Sequence, residues 1–172
     1  MDFNSVPKLT QLSQYHVHIG WDNLLEFIKQ EQEEGGLNID PDFQRPHVWD
    51  EERKTKYIEH VLGGGTSGIE LYLNHPGYMD GSADGPYELV DGKQRLNAIM
   101  GFMTNEVKAF GHYHKEFTGK LRMHARVVWY VNDLQTREQV LRWYLEMNEG
   151  HVAHTKEQLE MVEKMLETEK KG

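Results

Sequence analysis

The run Asp91-Gly92-Lys93-Gln94-Arg95 sets a carboxylate, a glycine, two cations and an amide on consecutive positions. Residues 87–90 before it read as a strand, and from 94 to 103 Leu96, Ile99, Met100 and Met103 form a helical stripe. A strand that passes through glycine into a helix leaves the helix's first N–H groups unpaired and its partial positive charge exposed, and the glycine lets backbone approach a ligand closely. Such a turn can hold phosphate. Lys93 and Arg95 add cationic donors, Arg95 with a fork that matches phosphate oxygens, and Gln94 adds neutral hydrogen bonds. Asp91 has three possible uses: binding a metal ion, accepting a proton from an attacking hydroxyl, or capping the helix. The plainer alternative for the whole run is a capped helix with surface charges.

A second irregular run, residues 40–49, carries Gln44 and Arg45 between Phe43 and Trp49, with Pro41 and Pro46 limiting its freedom. Rigid prolines and anchored aromatics can make Gln44 and Arg45 converge on an anion, or can leave Arg45 as a surface ion pair. Glu70, at the start of a strand expected over 69–73, joins Asp91 as a candidate magnesium ligand, because neighbouring strand ends can bring both to a phosphate. Glu88 reads instead as a solvated strand residue. The pairs His16/His18, His112/His114 and His151/His154 suggest zinc, but each lacks the third and fourth ligands that zinc requires.

These residues need a scaffold of short strands and several helices. Residues 15–19 alternate like a strand, and Trp21, Leu24, Leu25 and Ile28 mark one face of a helix that Gly35-Gly36 ends. Asp50 is placed to cap a helix bearing Tyr57, Ile58, Val61 and Leu62, which Gly63-Gly64-Gly65 stops. Residues 74–86 read as an exposed loop and 106–131 as a meander that ends in a strand over 125–131. Thr136 with Gln139, and Thr155 with Gln158, have capping-box spacing, so two further helices follow. The pattern predicts a single α+β domain over 1–172, with a short mixed sheet flanked by helices and a charged C-terminal helix from about 155.

Composition narrows the range of functions. The 172 residues carry a formal net charge of −9, which opposes non-specific coating of nucleic acid. The exception is the stretch 105–126, where Lys108, Lys115, Lys120, Arg122 and Arg126 alternate with aromatic and histidine side chains. Lys115, Lys120 and Arg122 are the candidate DNA contacts, set against an ordinary solvated hairpin. The absence of cysteine rules out disulfides and thiol catalysis. No apolar run suits a membrane span and the N-terminus does not resemble a secretory signal, so a cytoplasmic protein is expected.

The patterns P-x-F-Q-R-x-x-x-W over 41–49 and D-G-x-Q-R over 91–95, followed by Leu96 and Ala98, resemble the N-terminal domain of GmrSD-type restriction endonucleases. Asn148 with Gly150 resembles a later asparagine-glycine segment of that family. The resemblance implies a ParB/sulfiredoxin-like fold, with nucleotide binding and hydrolysis at the D-G-x-Q-R segment and DNA as the wider context. Carried over by position, Gln44, Arg45, Gly92, Lys93, Gln94, Arg95 and Asn148 would bind a nucleoside triphosphate, ATP being the preferred candidate. Mg2+ would accompany it on Asp91, and Asp91, Arg95 and Glu70 would carry the chemistry. Lys93 departs from the glutamine commoner at its place. The family's restriction enzymes usually add a separate nuclease domain, and this chain contains no nuclease constellation. The expected activity is therefore phosphoryl transfer to water or to a hydroxyl on DNA or a modified base. The alternative is a non-catalytic, nucleotide-switched module of a restriction or modification system that works with a partner subunit.

Overall fold

A computed structural model describes residues 15–44, 49–78, 85–148 and 156–169. Strand β1 (Tyr15–Gly20) runs directly into α1 (Trp21–Glu34), and α2 (Glu51–Leu62) follows. Asp50 caps α2 as its sequence position predicts, its side chain accepting the Arg53 N–H at 2.8 Å. Strands β2 (Glu70–Asn74) and β3 (Glu88–Asp91) lead into α3 (Lys93–Met103); β4 (Arg126–Asn132), α4 (Arg137–Asn148) and α5 (Lys156–Glu169) complete the order. At the start of α4 the expected capping box is formed: Thr136 Oγ1 accepts from the Gln139 N–H, and Gln139 Oε1 accepts from the Thr136 N–H. The corresponding Thr155 lies outside the described residues.

The sheet has the order β1-β4-β2-β3, with β2 parallel to β4 and the other two pairings antiparallel. It is a mixed sheet in an α+β fold. Leu71, Leu73 and Leu89 join the larger core with α1, α2 and α3, while Val90 joins a second core with Phe43, Leu134 and the α4 residues Val140, Leu141 and Tyr144. Among the described residues no helix is long and apolar enough to cross a membrane.

Two expectations are corrected. Residues 106–125 do not form a meander of strands: they contain a tight turn closed by a bridge between Ala109 and His112 and a short 3-10 helix, His114–Glu116. Gly111 and Gly119 adopt positive φ along this stretch, so the chain turns too often to sustain a ladder. Glu88 is not solvated but buried at 7% exposure, and burial pushes its carboxyl up from the ordinary range despite the opposing field of Arg137.

Candidate functional site

A cleft of about 770 Å3 opens where β2, the end of β3 and the start of α3 meet α4. The sheet contributes Glu70, Tyr72 and Asp91; the turn contributes Gly92, Lys93, Gln94 and Arg95; and the first loop and α2 contribute Gln44, Trp49 and Arg53. Helix α4 closes the side with Trp143, Tyr144, Met147 and Asn148. Arg45 lies outside the described residues, as does Gly150.

Asp91 reaches this cleft because the β2/β3 register slips. Leu73 opposes Leu89, but Tyr72 opposes Asp91, with a shift between the two pairs. Without that slip, strict alternation would turn Asp91 to the core face of Leu89. With it, Asp91 shares the face of Tyr72 and Glu70. Burial raises the Tyr72 phenol, and the carboxylate of Glu70 pushes it the same way.

The turn itself depends on Gly92, which is the N-cap of α3 at φ 107. A Cβ there would stand 2.4 Å from Leu71 Cδ2, inside the larger core. No side chain caps α3, so the reading of Asp91 as a cap is overturned. Its Oδ2 instead accepts from Arg95 Nη2 one helical turn on, at 2.5 Å. The left-handed glycine turns the Asp91 side chain away from the N–H groups that it would have capped.

Three polar residues expected to bind phosphate are engaged within the protein. Gln44 Nε2 donates to the Leu89 and Val90 carbonyls at 2.9 and 2.6 Å. Gln94 Oε1 accepts the Trp49 N–H at 3.2 Å, and the Lys93 ammonium pairs with Asp40. All three still line the cleft, but these bonds fasten the first loop to β3 and α3. Asn148 is buried on α4 and donates from Nδ2 to the Tyr144 carbonyl at 2.6 Å.

Arg53 escaped the sequence reading. Its guanidinium lies 5.2 Å from the centre of the Trp49 ring, and Trp49 in turn meets Tyr57 edge-on at 5.4 Å. The signal was the four-residue spacing of Arg53 and Tyr57, which sets them on one face of α2, with Trp49 just before its Asp50 cap. Trp143 and Tyr144, the aromatic wall from α4, also went unnoticed because they look like ordinary core positions.

Chemically, the cleft combines the guanidinium groups of Arg53 and Arg95, the start of α3 without a side-chain cap, the three carboxylates of Glu70, Asp91 and Glu146, and an aromatic wall. The guanidinium groups suit an anion, and the wall suits a flat ring. Glu70 and Asp91, which share one face of the sheet, are the expected carboxylates for a magnesium ion, which needs only one or two when phosphate oxygens supply further ligands; Glu146 also lines the cleft. Among the described residues no cluster of three or more metal-ligating side chains occurs, and His151 and His154 lie outside them.

Lys115, Lys120 and Arg122 are not in this cleft. They line a second one of about 500 Å3, together with Phe102, Phe110, His114, Phe117, Leu121 and His124. The first cleft meets the N-terminal end of α3, and the second meets Phe102 near the helix's C-terminal end.

The chain is thus an α+β domain with a glycine turn at the mouth of a cleft lined by charged and aromatic side chains. The family model of the GmrSD restriction endonuclease N-terminal domain matches residues 23–170, and the chain belongs to that family. Membership links the protein to DNA restriction or modification systems. No curated protein and no solved structure matches the chain.

Proposed function

We propose that this chain is the nucleotide-binding module of a DNA restriction or modification system, and that the larger cleft holds a nucleoside triphosphate, with ATP the first candidate. The observation that carries this reading is the strand slip that brings Asp91 onto the face of Glu70 and Tyr72, beside Arg95 and the uncapped start of α3. The phosphates would lie against Arg95 and Arg53, and the base against the aromatic wall. Arg95 has more N–H donors than its bond to Asp91 uses, so it can serve a phosphate as well. Asp91 and Glu70 would hold Mg2+, which in such sites neutralises charge on the phosphate oxygens. In the fuller form of the proposal Asp91 supports phosphoryl transfer, to water or to a hydroxyl on DNA.

The Asp91–Arg95 ion pair favours a second reading, in which the nucleotide acts as a switch without turnover. A phosphate competing for Arg95 would loosen that pair and relay occupancy into the turn.

Calorimetric titration of Arg95→Ala with ATP tests binding. The expected loss is about 1.5 to 3 kcal/mol, the range of charge-assisted hydrogen bonds, or roughly 10- to 150-fold in Kd. Unchanged affinity in a folded variant would remove the proposal. Asp91→Asn then separates enzyme from switch. If the carboxylate takes part in phosphoryl transfer, turnover of labelled ATP falls by about two orders of magnitude or more while the melting temperature holds. Binding without turnover in the parent, with or without modified DNA, supports the switch.

A further inference from the structure

The second cleft is built from exposed aromatic rings among cations. Phe110 is 55% exposed and Phe117 41% exposed, large fractions for phenylalanine, and both line the cleft beside Lys115, Lys120 and Arg122. Among the described residues no aspartate or glutamate lines it. Glu59 and Glu116 are turned to backbone donors, Glu59 accepting the Phe110 N–H and Glu116 the Tyr113 N–H, each at 2.6 Å. The charged side chains that line the cleft are therefore all basic, in a chain whose net charge is −9.

Phe110 is also held in an unfavourable backbone. Ala109 and His112 exchange both N–H···O bonds across a two-residue turn, and its central residues Phe110 and Gly111 have φ 51 and 80. Positive φ at both positions is the type I′ pattern, which favours Asn-Gly and opposes a bulky first residue. The Glu59 carboxylate fastens the strained position from α2. A ring held outward at the cost of its own backbone conformation points to a contact beyond the fold.

We propose that this second cleft holds an unpaired nucleobase of a DNA strand, stacked on Phe117 or Phe110, with the flanking phosphates on Lys115, Lys120 and Arg122. Aromatic rings accept any base because every base has a flat face, and interleaved cations follow the backbone. A duplex offers phosphates but keeps its bases stacked, so the cleft selects single-stranded or extruded nucleotides. This deepens the reading of the protein as a DNA-linked module and rests on it.

Fluorescence anisotropy with three labelled probes of one length tests the idea: a single-stranded oligonucleotide, its duplex, and a single strand with abasic positions at its centre. The parent should bind the intact single strand about tenfold more tightly than the abasic one, the scale of one base–aromatic stack. Whichever ring carries the base, its loss in Phe117→Ala or in Phe110→Asn should abolish that preference. Because Phe117 also packs edge-on against Phe102 and His112, Phe110→Asn serves as a second variant whose turn is relieved rather than disturbed. The combined Lys120→Ala and Arg122→Ala change should weaken all probes and flatten the salt dependence. If the charge variant weakens binding while intact and abasic strands bind alike in every protein, the base site is wrong and the DNA reading survives. If the parent binds none of the probes, both fall.

Discussion

At the first turn of α3 the polar side chains are buried and bonded to the protein itself, whereas around Phe102 the aromatic and basic side chains stand outward. Lys93 and Gln94 are 9% and 7% exposed, against 55% for Phe110. The first cleft is thus held in shape before any ligand arrives: Gln44 grips β3, Gln94 grips the loop at Trp49, and Lys93 grips Asp40. Pre-formed geometry suits a small ligand whose phosphates must meet fixed donors. The second cleft is a surface of solvated cations and rings on a twice-turned segment, which suits a longer, charged and variable ligand. The contrast teaches that substitutions at the first cleft should register in stability, while those at the second should register in binding.

The largest effect expected from this contrast is at Gly92. Replacing it by alanine puts a Cβ into left-handed backbone and against the fully buried Leu71. Left-handed strain costs about 1–2 kcal/mol and overpacking about 1–3 kcal/mol, so Gly92→Ala should lose about 2–5 kcal/mol in urea denaturation. A loss below about 0.5 kcal/mol would mean that the turn is soft and the first cleft not pre-formed. Next in size is Gln44→Ala, which removes two hydrogen bonds to the Leu89 and Val90 carbonyls. The expected cost is about 1–3 kcal/mol, because those acceptors lose their partner inside the fold. Should stability hold while nucleotide affinity drops, Gln44 is a ligand contact and not a brace.

Much of the scaffold was legible in local pattern. The helix at 21–34 follows from apolar spacing and its glycine stop, and those at 51–62 and 137–148 from caps whose hydrogen bonds are formed as expected. The site was legible as a list of residues but not as an arrangement. Asp91 faces Glu70 because of a register slip between strands, a property of the pair that neither strand's sequence displays. Of its three possible uses, capping is excluded because Gly92 takes the cap position in a left-handed conformation. Gln44 and Gln94 looked like ligand amides because their partners lie some 45 residues away. Between 106 and 125, aromatic alternation imitated a strand, while positive-φ residues kept the chain turning.

The smallest expected effect has the opposite sign and lies at the second cleft. Phe110 occupies the first central position of a turn whose two central residues both have positive φ, where asparagine is preferred and a bulky residue is strained. Its ring is more than half exposed, so replacing it removes little buried area. The N–H that Glu59 accepts belongs to the backbone and survives the change. Phe110→Asn should therefore raise stability by about 0.5–1 kcal/mol, part of the left-handed penalty being recovered. Urea denaturation that compares midpoints at unchanged slope measures this directly. A stabilised variant would show that the parent keeps Phe110 against its own folding interest, as the contrast between the clefts requires. A destabilised one would make Phe110 a packing residue after all, and the second cleft would then be built for the fold in the same way as the first.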